Sequence, residues 1–352
     1  MTALADLLAA RIAASGPISL ADYMADCLLH PQHGYYATRD PFGAGGDFTT
    51  APEISQMFGE LLGLSLAQAW LAQGSPAFTL AELGPGRGTL MADVLRATRG
   101  VPGFHAAAAV HLVEASASLR VVQRRTLGDH AVTWTGSVQD LPEGAPLFLL
   151  ANEFFDALPI RQFTRQGQGW AETVVGLRDG RLTLGRSAPA PLAALAHRLE
   201  DMRDGDVVEI CPAAAPIAAA IGARIAQNGG VAIIVDYGDW QSLGDTFQAL
   251  KDHRYTDPLT NPGEADLTAH VDFAALTAAA HPARASRMMT QGALLDRLGI
   301  QARSARLAQG LTGVRLTAHL EATRRLTDPA EMGSLFKALA LYRDTPPAGF
   351  DP

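Results

Sequence analysis

An acidic residue and three alternate glycines stand where an apolar run gives way to an amphipathic segment, in TLAELGPGRGTLMADVL at residues 79–95. The spacing is Glu82-x-Gly84-x-Gly86-x-Gly88, and Thr89 follows at the start of a predicted helix. A strand, a glycine turn and a helix in this order place main-chain N–H groups and the positive end of the helix at the carboxyl edge of a parallel sheet. Open α/β sheets bind their ligands at this edge, and glycine permits a ligand to approach the backbone closely.

The acid decides which ligand fits this turn. In the G-x-G-x-x-G dinucleotide fingerprint the third glycine falls one residue later, and the strand need not end in an acid. A carboxylate at Glu82 would repel a pyrophosphate but would attract a cationic amino or sulfonium group. S-adenosylmethionine carries both cationic groups and no phosphate. The sequence therefore predicts that Glu82, Gly84, Gly86, Gly88 and Thr89 bind this cofactor.

Two more acids follow later strands of the pattern. Glu114 ends the second predicted strand, where nucleoside-binding sheets place an acid that accepts hydrogen bonds from ribose hydroxyls. Asp140, in SVQDLP after the third strand, is predicted to meet the adenine amino group, although a solvated loop residue is an equal alternative. Three acids after three successive strands form a more specific signal than the glycines alone.

The segment ANEFFDALP supplies candidate residues for the methyl acceptor directly after an apolar strand. Methyl transfer from a sulfonium depends largely on positioning, so neither a strong nucleophile nor a metal ion is required. Asn152, Glu153 and Asp156 are predicted to be catalytic, and a pair of carboxylates would suit the planar, permanently charged guanidinium of an arginine acceptor. Asp156 has an alternative role as a cap of the turn before Pro159.

Three further residues are predicted to bind the substrate. Asp47 lies in a glycine-rich segment that could close over the cofactor as a lid, and Asp236 and Tyr237 end the apolar strand VAIIVDYG. Glu53, in contrast, is interpreted as the return half of a capping box that begins at Thr50. No metal site is predicted, because the histidines and aspartates of residues 253–272 have irregular spacing and no cysteine support.

The order of the apolar runs predicts an α/β fold. Residues 1–75 are interpreted as a helical N-terminal region, and residues 76–352 as a domain with a parallel sheet covered by helices on both faces. Insertions at about 160–205 and 239–285 interrupt this rhythm, the first with an Asp179-Gly180 hairpin turn. The closing segments LTGVRLTAHL and LFKALALYR are both interpreted as strands that finish the sheet.

Composition limits the class of protein and the kind of partner. A formal net charge of -8 over 352 residues gives no broad attraction for phosphate backbones, so nucleic acid is not expected as a partner. The two cysteines have no metal-binding spacing, the N-terminus lacks the basic region of an export signal, and no long uncharged apolar run occurs. With arginine replacing lysine almost everywhere, these features favour a bacterial cytoplasmic protein.

Six segments together resemble the NDUFAF7/MidA-type family of S-adenosylmethionine-dependent methyltransferases. They are GGDFTTAPEISQMFGELLG, ELGPGRGTLMADVLR, LVEASASLRVVQ, ANEFFDALPIRQF, GEADLTAHVDF and QGALLDRLGI, in the family's order. The resemblance implies a Rossmann-like class I methyltransferase sheet with a helical N-terminal region and α+β insertions. It also implies a protein substrate, since eukaryotic members are linked to respiratory complex I assembly through arginine methylation of a subunit.

Two other functions remain open at this point. A non-catalytic assembly factor or binding module could retain the cofactor pocket and act through protein contact alone. An NAD-dependent oxidoreductase is disfavoured by the glycine spacing and by the acid at residue 82. The sequence does not identify the acceptor, the number of methyl groups transferred or the oligomeric state.

Overall fold

The apolar runs of the α/β pattern form a sheet whose strands are labelled β1–β8 in chain order. Five of them run parallel in the order β3, β2, β1, β4, β5. Strand β8 pairs antiparallel with β5, and the two short strands β6 and β7 pair antiparallel with β8. Their bounds are Phe78–Leu83, Ala108–Val113, Val132–Thr135, Leu147–Asn152, Gly230–Asp239, Arg284–Ala285, Met289–Thr290 and Phe336–Tyr342.

The central strands are apolar because both of their faces are covered. All six residues of β1 and all six of β4 are buried, as expected of parallel strands with helices on each side. An aromatic cluster closes one side of the core, in which Phe78 contacts Trp70, Phe104 and Phe148 at ring-centroid distances of 4.9–5.7 Å. The predicted α/β fold is thus confirmed.

The computed structural model describes residues 2–38 and 49–352, which separate into two units. The unit that contains the sheet, called the sheet unit, comprises residues 49–155, 215–240 and 273–352; the insertion unit comprises residues 1–48, 156–214 and 241–272. The boundary differs from the one predicted at residue 75. The helix Gln56–Ala72 belongs to the sheet unit because its buried residues, including Phe58, Leu62 and Leu66, join the core of the sheet.

Helices of the sheet unit connect and cover its strands. The first four strands are accompanied by Ala51–Ile54, Gln56–Ala72, Thr89–Thr98, Phe104–Ala107, Ala117–Leu127 and the short 3-10 helix Val138–Asp140. The remaining helices are Ala214–Asn228, Phe273–Ala279, Gln291–Arg297, Ile300–Ala308, Gly313–Thr327 and Met332–Leu335. None of the helices in the part of the chain that the structure describes is long and apolar enough to cross a membrane.

One predicted strand near the C-terminus is wrong. The segment LTGVRLTAHL enters the helix Gly313–Thr327, whereas LFKALALYR does form β8 as predicted. Thr323 and Leu326 are buried, and Leu316 and His319 are half-buried, so the covered positions follow the 3.6-residue period of a helix. Val and Thr favour strands, but the spacing of the covered residues prevails over this propensity.

The insertion unit is built around antiparallel strands. One sheet has the order Ile18–Ser19, Gly169–Arg178, Arg161–Gln166, Val207–Ile210, and Arg181–Arg186 pairs with Gly169–Arg178 through the predicted Asp179-Gly180 turn. The turn residues have φ of +51° and +73°, the left-handed values that a two-residue hairpin requires. Other elements are Ala3–Ser15, Leu20–Leu29, Tyr35–Thr38, Ala193–Leu199, Gln248–Lys251, Arg254–Thr256, Asp266–Thr268 and Val271–Asp272.

Candidate cofactor and acceptor site

The glycine turn joins β1 to the helix Thr89–Thr98 at the carboxyl edge of the sheet. Gly84, Gly86 and Gly88 have φ of +57°, +52° and +83°, a region that other residues rarely adopt. A Cβ at Gly84 would also lie 2.8 Å from Cδ2 of Phe154. Conformation therefore explains glycine at all three positions, and lack of space is a second reason at Gly84.

Glu82 is a buried acid directly before this turn. Its side chain is 3% exposed, and its Oε2 has no hydrogen-bond partner among residues 2–38 and 49–352. Burial raises the pKa of this carboxyl to about 8, the Met91 N–H lowers it, and the nearby Glu114 carboxylate raises it. A buried acid with an unused oxygen fits a ligand that brings its own hydrogen-bond donor or positive charge.

Glu114 follows the neighbouring strand β2, so the structure brings the two acids together at one edge. Its Oε1 accepts from the Ser116 N–H at 2.7 Å, and its Oε2 accepts from Nε2 of Gln123 at 3.0 Å. Burial raises the pKa of Glu114, while these hydrogen bonds and the Arg120 guanidinium oppose the rise. Each carboxylate oxygen has a second lone pair, so a diol can still be accepted.

Gln123 is a residue of this site that the sequence analysis missed. It is fully buried and contacts Gly86, Glu114 and Trp134 through its amide. A signal was present in the sequence, because Gln123 shares one face of the helix Ala117–Leu127 with the buried Leu119 and Leu127. A lone amide in such an apolar stripe indicates a buried polar partner.

Asn152 and Glu153 lie at the end of β4, next to β1. Oε1 of Glu153 accepts from the Asn152 amide at 3.0 Å and from the Ala51 N–H at 3.1 Å, and the Glu153 N–H donates to the Val235 carbonyl. Glu153 has a φ of +50°, a left-handed conformation that is costly for a residue with a Cβ. Oδ1 of the 9%-exposed Asn152 is buried without a partner in the described ranges.

The segment before the helix Gln56–Ala72 contacts this edge in a way that the sequence did not predict. The capping-box interpretation is wrong, because Thr50 makes no side-chain cap and the Glu53 carboxylate does not return to it. Instead, Oγ1 of Thr89 donates to Oε1 of Glu53. Thr89 thus begins its helix with its hydroxyl directed at Glu53, and Glu53 joins the residues around the glycine turn.

Asp236 and Tyr237 lie on β5, and the carboxylate of Asp236 binds nearby main-chain N–H groups. Asp236 is fully buried; its Oδ2 accepts from the N–H groups of Phe154 and Phe155 at 3.1 and 2.9 Å, and its Oδ1 from that of Tyr237 at 3.0 Å. Its carboxylate therefore holds the chain just after Glu153. The ring of Tyr237 packs edge-on against Phe336.

The structure describes two of the three remaining predicted site residues, Asp140 and Asp156. Asp140 is exposed in the short helix Val138–Asp140 and accepts from the Ser137 hydroxyl at 2.9 Å. Asp156 belongs to the insertion unit, where it is buried and its main-chain carbonyl accepts from the Ala269 N–H. Asp47 falls outside the described residues. The predicted roles of these residues stay predictions.

Within the described ranges, no group of three or more His, Cys, Asp or Glu side chains is arranged to hold a metal ion. The polar groups gathered around the glycine turn are carboxylates, amides and hydroxyls. This donor set suits a ligand with cationic and hydroxyl groups, in line with the cofactor predicted from the sequence.

Comparison with known proteins decides the family. The family model of S-adenosyl-L-methionine-dependent methyltransferases matches residues 61–290, more than half of the chain. The chain belongs to this family. This chain is similar over most of its length to two relatives, both named protein arginine methyltransferase NDUFAF7, mitochondrial. The Danio rerio protein is 40% identical over 94% of this chain and 84% of its own, and the Homo sapiens protein is 38% identical over 94% and 81%.

A solved structure agrees with this assignment. A crystal structure from Burkholderia thailandensis, bound to S-adenosyl-homocysteine, is similar to the methyltransferase with a TM-score of 0.83 and 32% identity. The similarity covers 99% of this chain and 93% of that one. The class I methyltransferase fold and the cofactor S-adenosylmethionine, both expected from the sequence, are thereby confirmed.

Proposed function

We propose that this methyltransferase modifies an arginine side chain of a protein substrate. The observation that carries the proposal is the carboxylate of Glu153, held at the carboxyl end of β4 by the Asn152 amide and the Ala51 N–H. A carboxylate fixed in this way can accept N–H groups of a guanidinium and set the direction of the acceptor nitrogen. The relatives named protein arginine methyltransferase support this choice of acceptor.

The residues have distinct roles in this proposal. S-adenosylmethionine supplies an electrophilic methyl group on a sulfonium. Glu82 offers its unused oxygen to the cationic part of the donor, and Glu114 offers acceptors to its ribose hydroxyls. Asn152 contributes a buried carbonyl oxygen next to Glu153, which suits a second N–H of the acceptor. Asp236 fixes the chain after Glu153 through main-chain N–H groups.

The charge of the whole chain is compatible with such a substrate. A formal net charge of -8 favours association with basic partners over acidic ones. A catalytic role for Asp156, substrate roles for Asp47, Asp236 and Tyr237, and an adenine contact for Asp140 remain part of the proposal. We also propose that the protein works in the reducing bacterial cytoplasm, which its two unpaired cysteines support.

Labelling with methyl donor tests the proposal. Extract from cells that lack the gene is incubated with labelled S-adenosylmethionine and the purified enzyme, and labelled proteins are identified by mass spectrometry. We expect methylated arginine in at least one protein. Glu153→Gln should lower the initial rate by about 100-fold, as for a lost charge that orients the acceptor.

The matched control is Glu143→Gln, which removes an exposed carboxylate in the loop before β4 and should leave the rate unchanged. Label on another residue type, or an unchanged rate in Glu153→Gln, would contradict the arginine assignment. If the enzyme binds S-adenosylhomocysteine and labels no protein, the binding-module alternative is favoured instead.

A further inference from the structure

The buried amide of Gln123 connects two parts of the methyl-donor site that are far apart in sequence. Nε2 donates to the Gly86 carbonyl at 2.8 Å and to Oε2 of Glu114 at 3.0 Å. Oε1 accepts from Nε1 of Trp134 at 2.8 Å, and the residue has no exposed surface. One side chain thus links the helix Ala117–Leu127, the glycine turn, the acid after β2 and strand β3.

The chemistry of the partners allows only one orientation of this amide. The indole N–H of Trp134 can only donate, so the oxygen of Gln123 must face it. The Gly86 carbonyl and the Glu114 carboxylate oxygen can only accept, so both require the NH₂ group. Every hydrogen bond is satisfied with this orientation, and a flipped amide would lose all three.

Gln123 also leaves little space for a side chain at Gly88 of the turn. A Cβ at Gly88 would lie 3.5 Å from both Cα and Cγ of Gln123, which is ordinary van der Waals contact. Gln123 therefore lies beside the turn at Gly88 and bonds to it at Gly86. Because buried polar groups cost free energy unless they are paired, an amide at this position is retained for the bonds that it makes.

We propose that Gln123 is a positioning residue for the methyl donor. Its amide holds the Glu114 carboxylate in place for the ribose hydroxyls and fixes the Gly86 carbonyl, so that the N–H groups of the turn face the ligand. The proposal rests on the assignment of Glu114 to the ribose and is independent of the identity of the acceptor.

Binding measurements on two ligands test this role. Calorimetry gives the Kd of S-adenosylhomocysteine and of its analogue without the ribose 2′ hydroxyl, for the natural protein and for Gln123→Met. Methionine keeps the length of the side chain but makes none of the three hydrogen bonds. We expect S-adenosylhomocysteine to bind about tenfold more weakly to Gln123→Met, and the deoxy analogue to lose no more than about threefold.

A second variant protects the test against a loss of folding. Trp134→Phe keeps a ring on β3 but removes the N–H that orients the amide, and we expect a loss of about threefold for S-adenosylhomocysteine. Gln139→Met, at an exposed position before Asp140, is the matched control and should bind as the natural protein does. Thermal unfolding and circular dichroism verify that each variant is folded.

The outcomes separate this role from a general structural one. An equal loss for both ligands in folded Gln123→Met and Trp134→Phe would show that the residue only supports the fold, and no loss for either would overturn the proposal. If Gln123→Met does not fold, the Trp134→Phe comparison decides. Failure of these tests leaves the labelling experiment on Glu153 unaffected, because that experiment concerns the acceptor.

Discussion

At the scale of single residues, Glu82 is a buried carboxyl group with an oxygen available to a ligand. Its carboxyl is 3% exposed and has a pKa of about 8, so in the absence of ligand it is mostly protonated at neutral pH. Binding of a cationic group beside its unused oxygen would favour the charged form. Glu82 therefore lowers the stability of the ligand-free protein but raises its affinity for a cationic ligand. Such a compromise is common at functional sites.

The pH dependence of folding should reveal this compromise. The folded-state pKa of Glu82, about 8, lies above the 4.5 of an unperturbed glutamate, so folding takes up a proton between pH 4.5 and pH 8, and stability falls as pH rises. Glu82→Gln stays neutral throughout. We expect this variant to be more stable than the natural protein by about 3–5 kcal/mol at pH 9 and nearly equal to it at pH 4.5.

Thermal unfolding of the ligand-free proteins at several pH values measures this difference. Glu143→Gln again serves as the control, since its exposed carboxylate should show no such trend. A stability difference that stays constant from pH 4.5 to pH 9 would mean that folding does not raise the pKa of Glu82.

At the scale of elements, the glycine turn depends on backbone conformation as well as space. Gly84→Ala would need a left-handed φ and would bring its Cβ within 2.8 Å of Phe154. We expect it to lower the free energy of unfolding by about 2–3 kcal/mol and to abolish donor binding. Gly100→Ala, in a glycine with open space around it, should change stability by less than about 0.5 kcal/mol.

Urea unfolding and calorimetric titration measure both effects. If the Gly84→Ala variant binds S-adenosylhomocysteine with normal affinity, Phe154 and the turn move readily. The argument from close packing would then be wrong.

The sequence predicted elements best where burial is complete. Strands β1 and β4 are mostly apolar because both faces are covered, and Glu82 was recognised from its place near the end of β1. Contacts between distant segments could not be predicted in this way. Glu53 was assigned to a local cap, yet its partner is Thr89, and the role of Gln123 depends on Gly86, 37 residues away.

The prediction of a strand where the helix Gly313–Thr327 forms failed for a related reason. Its covered face is narrow and includes polar residues such as Thr323, so the apolar pattern over 311–320 was too weak to outweigh the strand propensity of Val314 and Thr317. Val314 is 86% exposed, which a pattern-based assignment cannot anticipate. Where the apolar pattern of a segment is this weak, contacts with the rest of the protein determine whether the segment forms a helix or a strand.

At the scale of the whole molecule, the two cysteines test the proposed compartment. Burial raises the pKa of the Cys27 thiol to about 12 and that of the Cys211 thiol to about 11, so both stay protonated at physiological pH. We expect Ellman's reagent to react with them at least about 100-fold more slowly in the native protein than in the unfolded one. If the redox state of the thiols is trapped in living cells, two free thiols should be counted after the protein is unfolded in denaturant.

Fewer than two titratable thiols after such trapping would indicate a disulfide and would contradict a reducing compartment. Fast reaction in the native state would mean instead that one of the sulfur atoms is more accessible than its burial indicates. Neither cysteine belongs to the sheet unit.

The left-handed backbone at Glu153 has a bearing on attempts to engineer this enzyme. Glycine or asparagine would adopt a φ of +50° more comfortably than glutamate does. Selection for heat resistance alone would favour those replacements and discard the carboxylate on which the proposed chemistry depends. Directed evolution of the protein therefore has to screen for turnover alongside thermal tolerance, because the two criteria demand different residues at this one place.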